Sequence, residues 1–379
     1  MKFVSLHNHS HFSLLDGYQT IPEMVSRAKE LGATALSITD HGTMRGVVEF
    51  YKECKVQGIK PIIGCEFYFC PDITVRDRSM THHLVLLAMN DVGYRNLKEL
   101  DTIAYKEAHM FYKPRIDESD LRKHSDGIVC LSACMASIVN TPDGEEWFEK
   151  FYNIFGDRFF AEIQPLNIDK QQEYNAKVIG LARKYNVPLV VTTDAHYARP
   201  EDEPYHYLWL QIHGNGYHDN ENYQWSEDEL RKTPWIPDEV KDECIENTAR
   251  IADMCNVEIE FGGQHYPVYT DRDPAEVVRE ICRANWKAKV PHGHYAEYAE
   301  RFEAEMKDLE ATNYLNYLLI IWDLVNWCVK NNIPVGEGRG SAAGCLVGYL
   351  MGFHKVDSIK FGTEFFRFCN PMRQSPADR

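Results

Sequence analysis

Short apolar runs alternate with helical patterns through roughly the first half of the chain. Phe3 to Leu6, Thr34 to Thr39, Pro61 to Phe69, Leu84 to Met89, Ile128 to Ser132, Phe159 to Gln164 and Pro188 to Thr193 read as seven strands. Helix signals lie between them. In Thr20-Ile-Pro-Glu23, for example, Thr20 can cap, Pro22 suits the first turn and Glu23 completes a capping box. Strands alternating with helices imply an α/β fold with a mainly parallel sheet, and seven of them suggest a closed or nearly closed barrel. After Asp202 the strand patterns stop and helical ones run from Glu203 to Asn256. The Gly- and Pro-bearing stretch Phe261 to Pro274 reads as a linker, which divides the chain into domains 1–262 and 263–379. Beyond it, helices are expected near 274–290, 295–312 and 314–331, then a glycine-rich stretch from Val335 to Gly344 and another apolar helix.

Composition adds boundary conditions. With 379 residues, 44% hydrophobic and 26% charged, the chain can bury a sizeable core, and two domains are expected. The N-terminus lacks an apolar signal segment, and the apolar run Tyr314 to Val329 is interrupted by Asn316, Asp323 and Asn326. A cytoplasmic, membrane-free protein is the expectation. The eleven cysteines, with no C-x-x-C pair, read as reduced thiols free to pack or to ligate. The net charge of −16 argues against wrapping nucleic acid over the whole surface. The stretch from Lys330 to Arg379 is nevertheless about +3, so contact with polyphosphate is more plausible there.

Metal-ligating residue types gather at the strand ends. The first run closes on His7-Asn8-His9, whose i and i+2 imidazoles face one side of an extended chain. Asp16 follows in the next loop, Asp40-His41-Gly42 after the second strand, Glu66 within the third, Cys134 past the fifth, and Asp194-Ala-His196 after the seventh. Each has a bland alternative: Asp40 and His41 in a turn with Gly42, Cys134 as core filler, Glu66 in an ion pair. In a parallel barrel, however, all these ends converge on one rim, where such folds carry their chemistry. His83 precedes its apolar run instead of following it, so that strand is expected to run in the opposite sense or to be misread. Together the residues read as a multinuclear metal site, and His, carboxylate and thiolate suit Zn²⁺, Mn²⁺ or Fe²⁺ alike.

The wording of these segments is specific. His7-Asn-His9, Ser13-Leu-Leu-Asp16-Gly, Ile38-Thr-Asp-His41-Gly, Gly58 to Glu66, His83-Leu-Val-Leu-Leu, Leu131-Ser-Ala-Cys134 and Thr193-Asp194-Ala-His196-Tyr resemble the polymerase and histidinol phosphatase (PHP) domain. The version they are most similar to stands at the N-terminus of bacterial DNA polymerase III alpha subunits. The resemblance implies a distorted seven-stranded (β/α) PHP barrel, followed by a mainly helical connector and the beginning of a polymerase palm. It also implies two to three divalent metals. By that resemblance His7, His9, Glu66 and Asp194 would hold the first ion, Glu66, His83 and Cys134 the second, and Asp16, His41 and His196 the third. Bound metals lower the pKa of water and polarise phosphoryl oxygens, and in polymerase-linked members the fitting reaction is 3′-to-5′ exonuclease proofreading.

The C-terminal segment carries a second resemblance. Gly336-Glu-Gly338-Arg339-Gly340-Ser341-Ala-Ala-Gly344 offers backbone amides and donors suited to phosphate, although a tight packing loop accounts for it equally well. It is similar to the Gly-Arg-Gly-Ser motif of the polymerase III palm, which contacts the incoming dNTP, with Glu337 in place of the usual proline. By the same similarity Asp378 falls at the first palm aspartate, where Mg²⁺ would bind once the site is complete. The resemblance thus implies a primer-template DNA partner, a second chain carrying the remaining palm and fingers, and a sliding clamp reached through that missing part. The reading is the N-terminal part of a split or truncated polymerase. The alternatives are a free-standing PHP nuclease or phosphatase, or a metal-stabilised structural module of a replisome.

Overall fold

The computed structural model of the chain describes residues 3–212, 214, 221–263 and 267–372. Two compact units result, Met1–Ile259 and Glu260–Arg379.

The first unit is built on β1 (Ala35–Ile38), β2 (Lys60–Phe69), β3 (His82–Ala88), β4 (Arg115–Ile116), β5 (Ile128–Leu131), β6 (Phe159–Ile163) and β7 (Leu189–Val191). They form one sheet in the order β1-β2-β3-β5-β6-β7, with β4 attached to β2. All neighbours are parallel except that β3 runs antiparallel to both β2 and β5. The reversed strand is the one in which His83 precedes the apolar run.

The run Phe3 to Leu6 is not a regular strand, contrary to expectation. Its amides go to side chains, with Val4 N–H donating to Thr248 Oγ1 and Phe3 N–H to Glu227, so no ladder forms. The segment nevertheless lies between the sheet edges. Ser37 N–H donates to Ser5 O and Thr39 N–H to Asn8 O on the β1 side, while His9 N–H donates to Ala195 O beyond β7. The seventh strand is instead the two-residue β4, too short to carry a periodic signal.

Period-two alternation sorts the strand residues into two layers. Val4, Leu6, Ile62, Val85, Leu87, Val129, Leu131, Phe160 and Val190 pack inside the curled sheet, closed off by Ile251, Ala252 and Cys255. The intervening residues, such as Ile63, Leu84, Leu86, Cys130, Phe159 and Ala161, pack outward against the helices. Each buried Val, Leu, Ile or Phe among them contributes about 1.5–3 kcal/mol. The same alternation places Glu66 on the face of Ile62, His83 on that of Val85, Glu162 on that of Phe160 and Thr192 on that of Val190. The inside of the barrel is therefore apolar along its length and polar at one rim. Helix Ile21–Glu30 starts where the sequence predicts, with the Glu23 carboxylate accepting from Thr20 N–H at 2.9 Å.

In the second unit, helices Pro274–Lys289, Tyr295–Ala311 and Leu315–Lys330 match the three expected within a residue. Val278, Cys282, Met306, Leu309, Leu318, Leu346 and Leu350 form their common core. The apolar helix after the glycine-rich stretch is short, Leu346–Met351, and follows a 3-10 turn over Gly340–Gly344. Its first amides are already engaged. Val347 N–H donates to the fully buried Glu305 carboxylate at 3.0 Å, and Gly348 N–H to Cys345 Sγ. Among the described residues no helix is long and apolar enough to cross a membrane.

Candidate metal centre

His7 and His9 leave the N-terminal segment on one side because Asn8, on the other, is tied down. Its amide donates to Ser5 O and Ser37 O, and its N–H to Thr39 Oγ1. The next loop is anchored by Asp40. This buried carboxylate accepts from Ser10 N–H at 2.6 Å and from Ser13 Oγ at 2.8 Å, so it organises the loop that carries Asp16. Gly17 is required there, since a Cβ would lie 2.1 Å from Ser10 O. Gly42, at φ +55°, lets the chain turn after His41 beneath the Tyr68 ring.

Glu66 is the hub. Its Oε1 lies 3.2 Å from His7 Nε2 and 2.9 Å from His83 Nδ1, and its Oε2 lies 2.5 Å from His41 Nδ1 and 3.6 Å from His9 Nε2. Cys134 Sγ approaches the same carboxylate at 3.9 Å and His83 Nδ1 at 3.6 Å. Asp194 Oδ1 sits 3.0 Å from His9 Nε2 and 3.3 Å from His7 Nε2. Asp16 Oδ2 lies 3.1 Å from His41 Nε2 and 3.6 Å from His196 Nε2. Residues spread over nearly two hundred positions of sequence thus meet at one rim.

Three groups have ligand atoms close enough to share an ion: His7, His9 and Glu66; His41, Glu66 and His83; and His9, His41 and His196. The first and second meet at Glu66. All three differ from the sets implied by resemblance: the first lacks Asp194, the second has His41 where Cys134 was expected, and the third has His9 where Asp16 was expected. Asp194 nevertheless adjoins His7 and His9, Cys134 adjoins Glu66 and His83, and Asp16 adjoins His41 and His196.

The donor set fits a cation. His7 Nε2, His9 Nε2, His41 Nδ1, Glu66 Oε2 and Asp194 Oδ1 are all buried and without a hydrogen bond. Several face one another as close ion pairs instead, His41 Nδ1 with Glu66 Oε2 at 2.5 Å and His9 Nε2 with Asp194 Oδ1 at 3.0 Å. Leaving a buried polar atom unsatisfied costs about 1–3 kcal/mol, and five in one cluster is what divalent ions would relieve.

The charges show the same demand. Burial opposes protonation of His41, but Glu66 and Asp16 beside it push its pKa up to about 10. Burial likewise opposes, and Asp16 and Asp194 outweigh, at His196, raised to about 9. Burial and the neighbouring His41 and His196 bring His9 down to about 3. Glu66, against its burial, is held well below the carboxylate range by His83, His7 and His41. Burial drives the Cys134 thiol well above its ordinary value. Without metal, protons on His41 and His196 supply the positive charge that the carboxylates require.

The sequence pattern alone does not anticipate Glu162, whose carboxylate accepts from His7 Nδ1 at 2.7 Å and from Ala133 N–H at 3.0 Å. The available signal was a lone charge in Phe159-Phe-Ala-Glu-Ile on the face of Phe160. His206 and Asn222, which line the cleft beside Asp16 and His196, come from a segment read only as helical. Gly338, Arg339, Gly340 and Ser341 lie in the second unit, where Arg339, Gly340 and Ser341 are exposed. Asp378 lies outside the described residues.

Comparison with known proteins bears on both units. Residues 5–165 match the PHP domain and residues 276–379 the bacterial DNA polymerase III alpha NTPase domain. DNA polymerase III subunit alpha of Aquifex aeolicus is 38% identical over 419 residues, covering 99% of this chain and 36% of that protein. The same subunit of Treponema pallidum is 36% identical over 411 residues, covering 100% of this chain and 34% of that protein. The chain belongs to the bacterial DNA polymerase III alpha family. It spans about a third of the length of these relatives. Within this family the rim described above is that of a PHP domain, a metal-dependent phosphoesterase fold. The PHP match ends at residue 165, so Asp194 and His196 join the site on geometry.

Proposed function

We propose that the PHP unit hydrolyses phosphodiesters at DNA 3′ ends with two or three divalent ions, as the proofreading part of a replicative polymerase. The observation that carries this is the cluster of five buried, unsatisfied donor atoms around Glu66. In this reading His7, His9, Glu66 and Asp194 hold one ion, Glu66, His83 and Cys134 a second, and Asp16, His41 and His196 a third, with Zn²⁺, Mn²⁺ and Fe²⁺ all compatible. The ions, when bound, supply Lewis-acid activation of water and of phosphoryl oxygens. The chain's own residues hold the carboxylates in place, exclude water from the buried floor and offer Gln164 and Asn222 along the cleft wall.

The rim favours an oligonucleotide end over a small phosphate ester. Tyr18 and Tyr205 are exposed at 37% and 59%, and their rings lie 11° from parallel with centroids 6.4 Å apart. Tyr18 N–H donates to His196 O, which fixes this pair beside the ligands. Exposed aromatic rings of this kind stack on nucleobases. Digestion of a 3′-labelled single strand with Mn²⁺ or Zn²⁺, by wild type and by Glu66→Ala, tests the proposal. Loss of cleavage in the variant is expected. Equal rates would refute it, and faster release of phosphate from histidinol phosphate would favour a small-molecule phosphatase.

DNA synthesis is proposed only for the assembled polymerase. Gly338, Arg339, Gly340 and Ser341 would face the dNTP, and the remaining palm and fingers would supply their Mg²⁺ carboxylates and the route to the sliding clamp. Leu324, Trp327 and Val329, exposed at 56%, 57% and 61% on helix Leu315–Lys330, would offer those segments an apolar contact.

A further inference from the structure

We propose that Glu162 is a positioning residue of the metal centre. Its one carboxylate sets the ring of His7 and the turn that carries Cys134, and so couples the two ligand groups that meet at Glu66. This rests on the metal-binding reading above.

Glu162 is fully buried on β6. Oε1 accepts from His7 Nδ1 at 2.7 Å and also from Thr192 Oγ1, with Gln164 Nε2 at 3.4 Å. Oε2 accepts from Ala133 N–H at 3.0 Å. Four donors converge on one side chain, and only an acceptor-only carboxylate satisfies them all. Both oxygens are thereby taken, which leaves Glu162 outside the ligand set.

The consequence for His7 is a fixed tautomer. With its proton on Nδ1, the ring presents the Nε2 lone pair towards Glu66 Oε1 and Asp194 Oδ1, 3.2 and 3.3 Å away. At the other end, Ala133 adopts φ +66°, a left-handed conformation that a non-glycine residue disfavours. Glu162 takes the amide of that residue, Glu162 N–H donates to Ser132 Oγ at 2.8 Å, and Tyr174 O–H donates to Ala133 O at 3.3 Å. The turn so pinned brings Cys134 Sγ within 3.6 Å of His83 Nδ1. Among the described residues the donors to Glu162 are His7, Ala133, Gln164 and Thr192, so Asp16, His41 and His196 gain nothing directly from it.

Co²⁺ titration of the whole chain tests this, because thiolate-to-cobalt charge-transfer absorption reports Cys134 and total metal content reports the rest. Glu162→Gln keeps the size but presents an NH₂ group to donors. It is expected to weaken the ions held by His7 and by Cys134 together, roughly 10–100-fold, with the Asp16, His41 and His196 ion retained and the metal-free circular dichroism unchanged. Thr192→Val, which removes one donor and leaves the carboxylate, is expected to give a smaller shift in the same two ions and serves if Glu162→Gln does not fold. Wild-type affinity and absorption in the folded variant would overturn the proposal. So would a uniform weakening of all ions, which marks a general packing role. Wild-type protein that takes up no cobalt would overturn the parent reading and this one with it.

Discussion

Glu66→Gln in the metal-free protein isolates the electrostatics of the centre. Glu66 is 1% exposed and faces His7, His9, His41 and His83. The replacement keeps its volume and removes its charge. His41 supplies a magnitude: its pKa is raised from 6.5 to about 10. At about 1.36 kcal/mol per unit, the raised value is worth about 4 kcal/mol at pH 7. Glu66 and Asp16 share that shift, so Glu66 accounts for part of it, and removing one partner of a buried ion pair costs about 3–5 kcal/mol in general. The sign follows from the direction of the shift. A raised histidine stabilises fully below 6.5, and that stabilisation is lost as pH rises through about 10. Thermal unfolding of chelator-treated protein should therefore show Glu66→Gln less stable by roughly 3–5 kcal/mol at pH 6–7, or about 6–20 °C in Tm for a unit of this size. The gap should narrow as pH approaches 10. A gap that is the same at pH 6 and pH 10, or absent at both, would refute a charge network centred on Glu66.

Metal uptake should release protons, because His41 and His196, raised to about 10 and about 9, and the Cys134 thiol must lose theirs to ligate. Calorimetry in buffers of different ionisation enthalpy should show net proton release near pH 7.5, and affinity should rise from pH 6 to 9; no release would contradict the ligand assignment. Tyr18→Ala and Tyr205→Ala should each lower kcat/KM on a single-stranded oligonucleotide by roughly 5- to 150-fold, the value of about 1–3 kcal/mol per stacked base. Their hydrolysis of bis(p-nitrophenyl) phosphate should not change, and equal losses on both substrates would remove the stacking role. Primer extension should be absent with residues 1–379 alone, appear once the remaining palm and fingers segments are supplied, and disappear again with Asp378→Asn; extension by residues 1–379 alone would refute the dependence of synthesis on those segments.

The parts of the fold that were legible are those where periodicity and burial agree. β2, β3, β5, β6 and β7 are apolar on both faces because helices cover one side and the barrel interior the other. The N-terminal run shares that composition but bonds to Thr248 and Glu227 side chains, a long-range choice that no local pattern encodes. In the site, the ligand types stood at strand ends and could be gathered onto one rim by topology alone. Asp40 shows the limit: beside His41 it reads as a ligand, yet its carboxylate turns to Ser10 and Ser13. Glu162 was hidden for the opposite reason. Its role depends on four donors that come from four separate places in the chain.

The reversal of β3 explains why Glu66 can be a hub. In an all-parallel barrel only residues at strand C-termini reach the rim. Here Glu66 pairs with Val85 and Tyr68 with His83, so an antiparallel β3 delivers its first residues to the end where β2 finishes. His83 shares the inward face with Val85, two residues on, and its Nδ1 reaches Glu66 at 2.9 Å. β5 is antiparallel to β3 in turn, with Val85 opposite Leu131, so the turn just past Leu131 arrives at the same level. Cys134 meets His83 there. A one-residue slip of β3 would carry His83 to the outer face among the helix-facing residues and strand Glu66 without one of its imidazoles. The outward packing of Leu84 and Leu86 and the inward packing of Val85 and Leu87 hold the register against that slip. The apolar alternation that stabilises the barrel is therefore also what keeps the ligands aimed at one another.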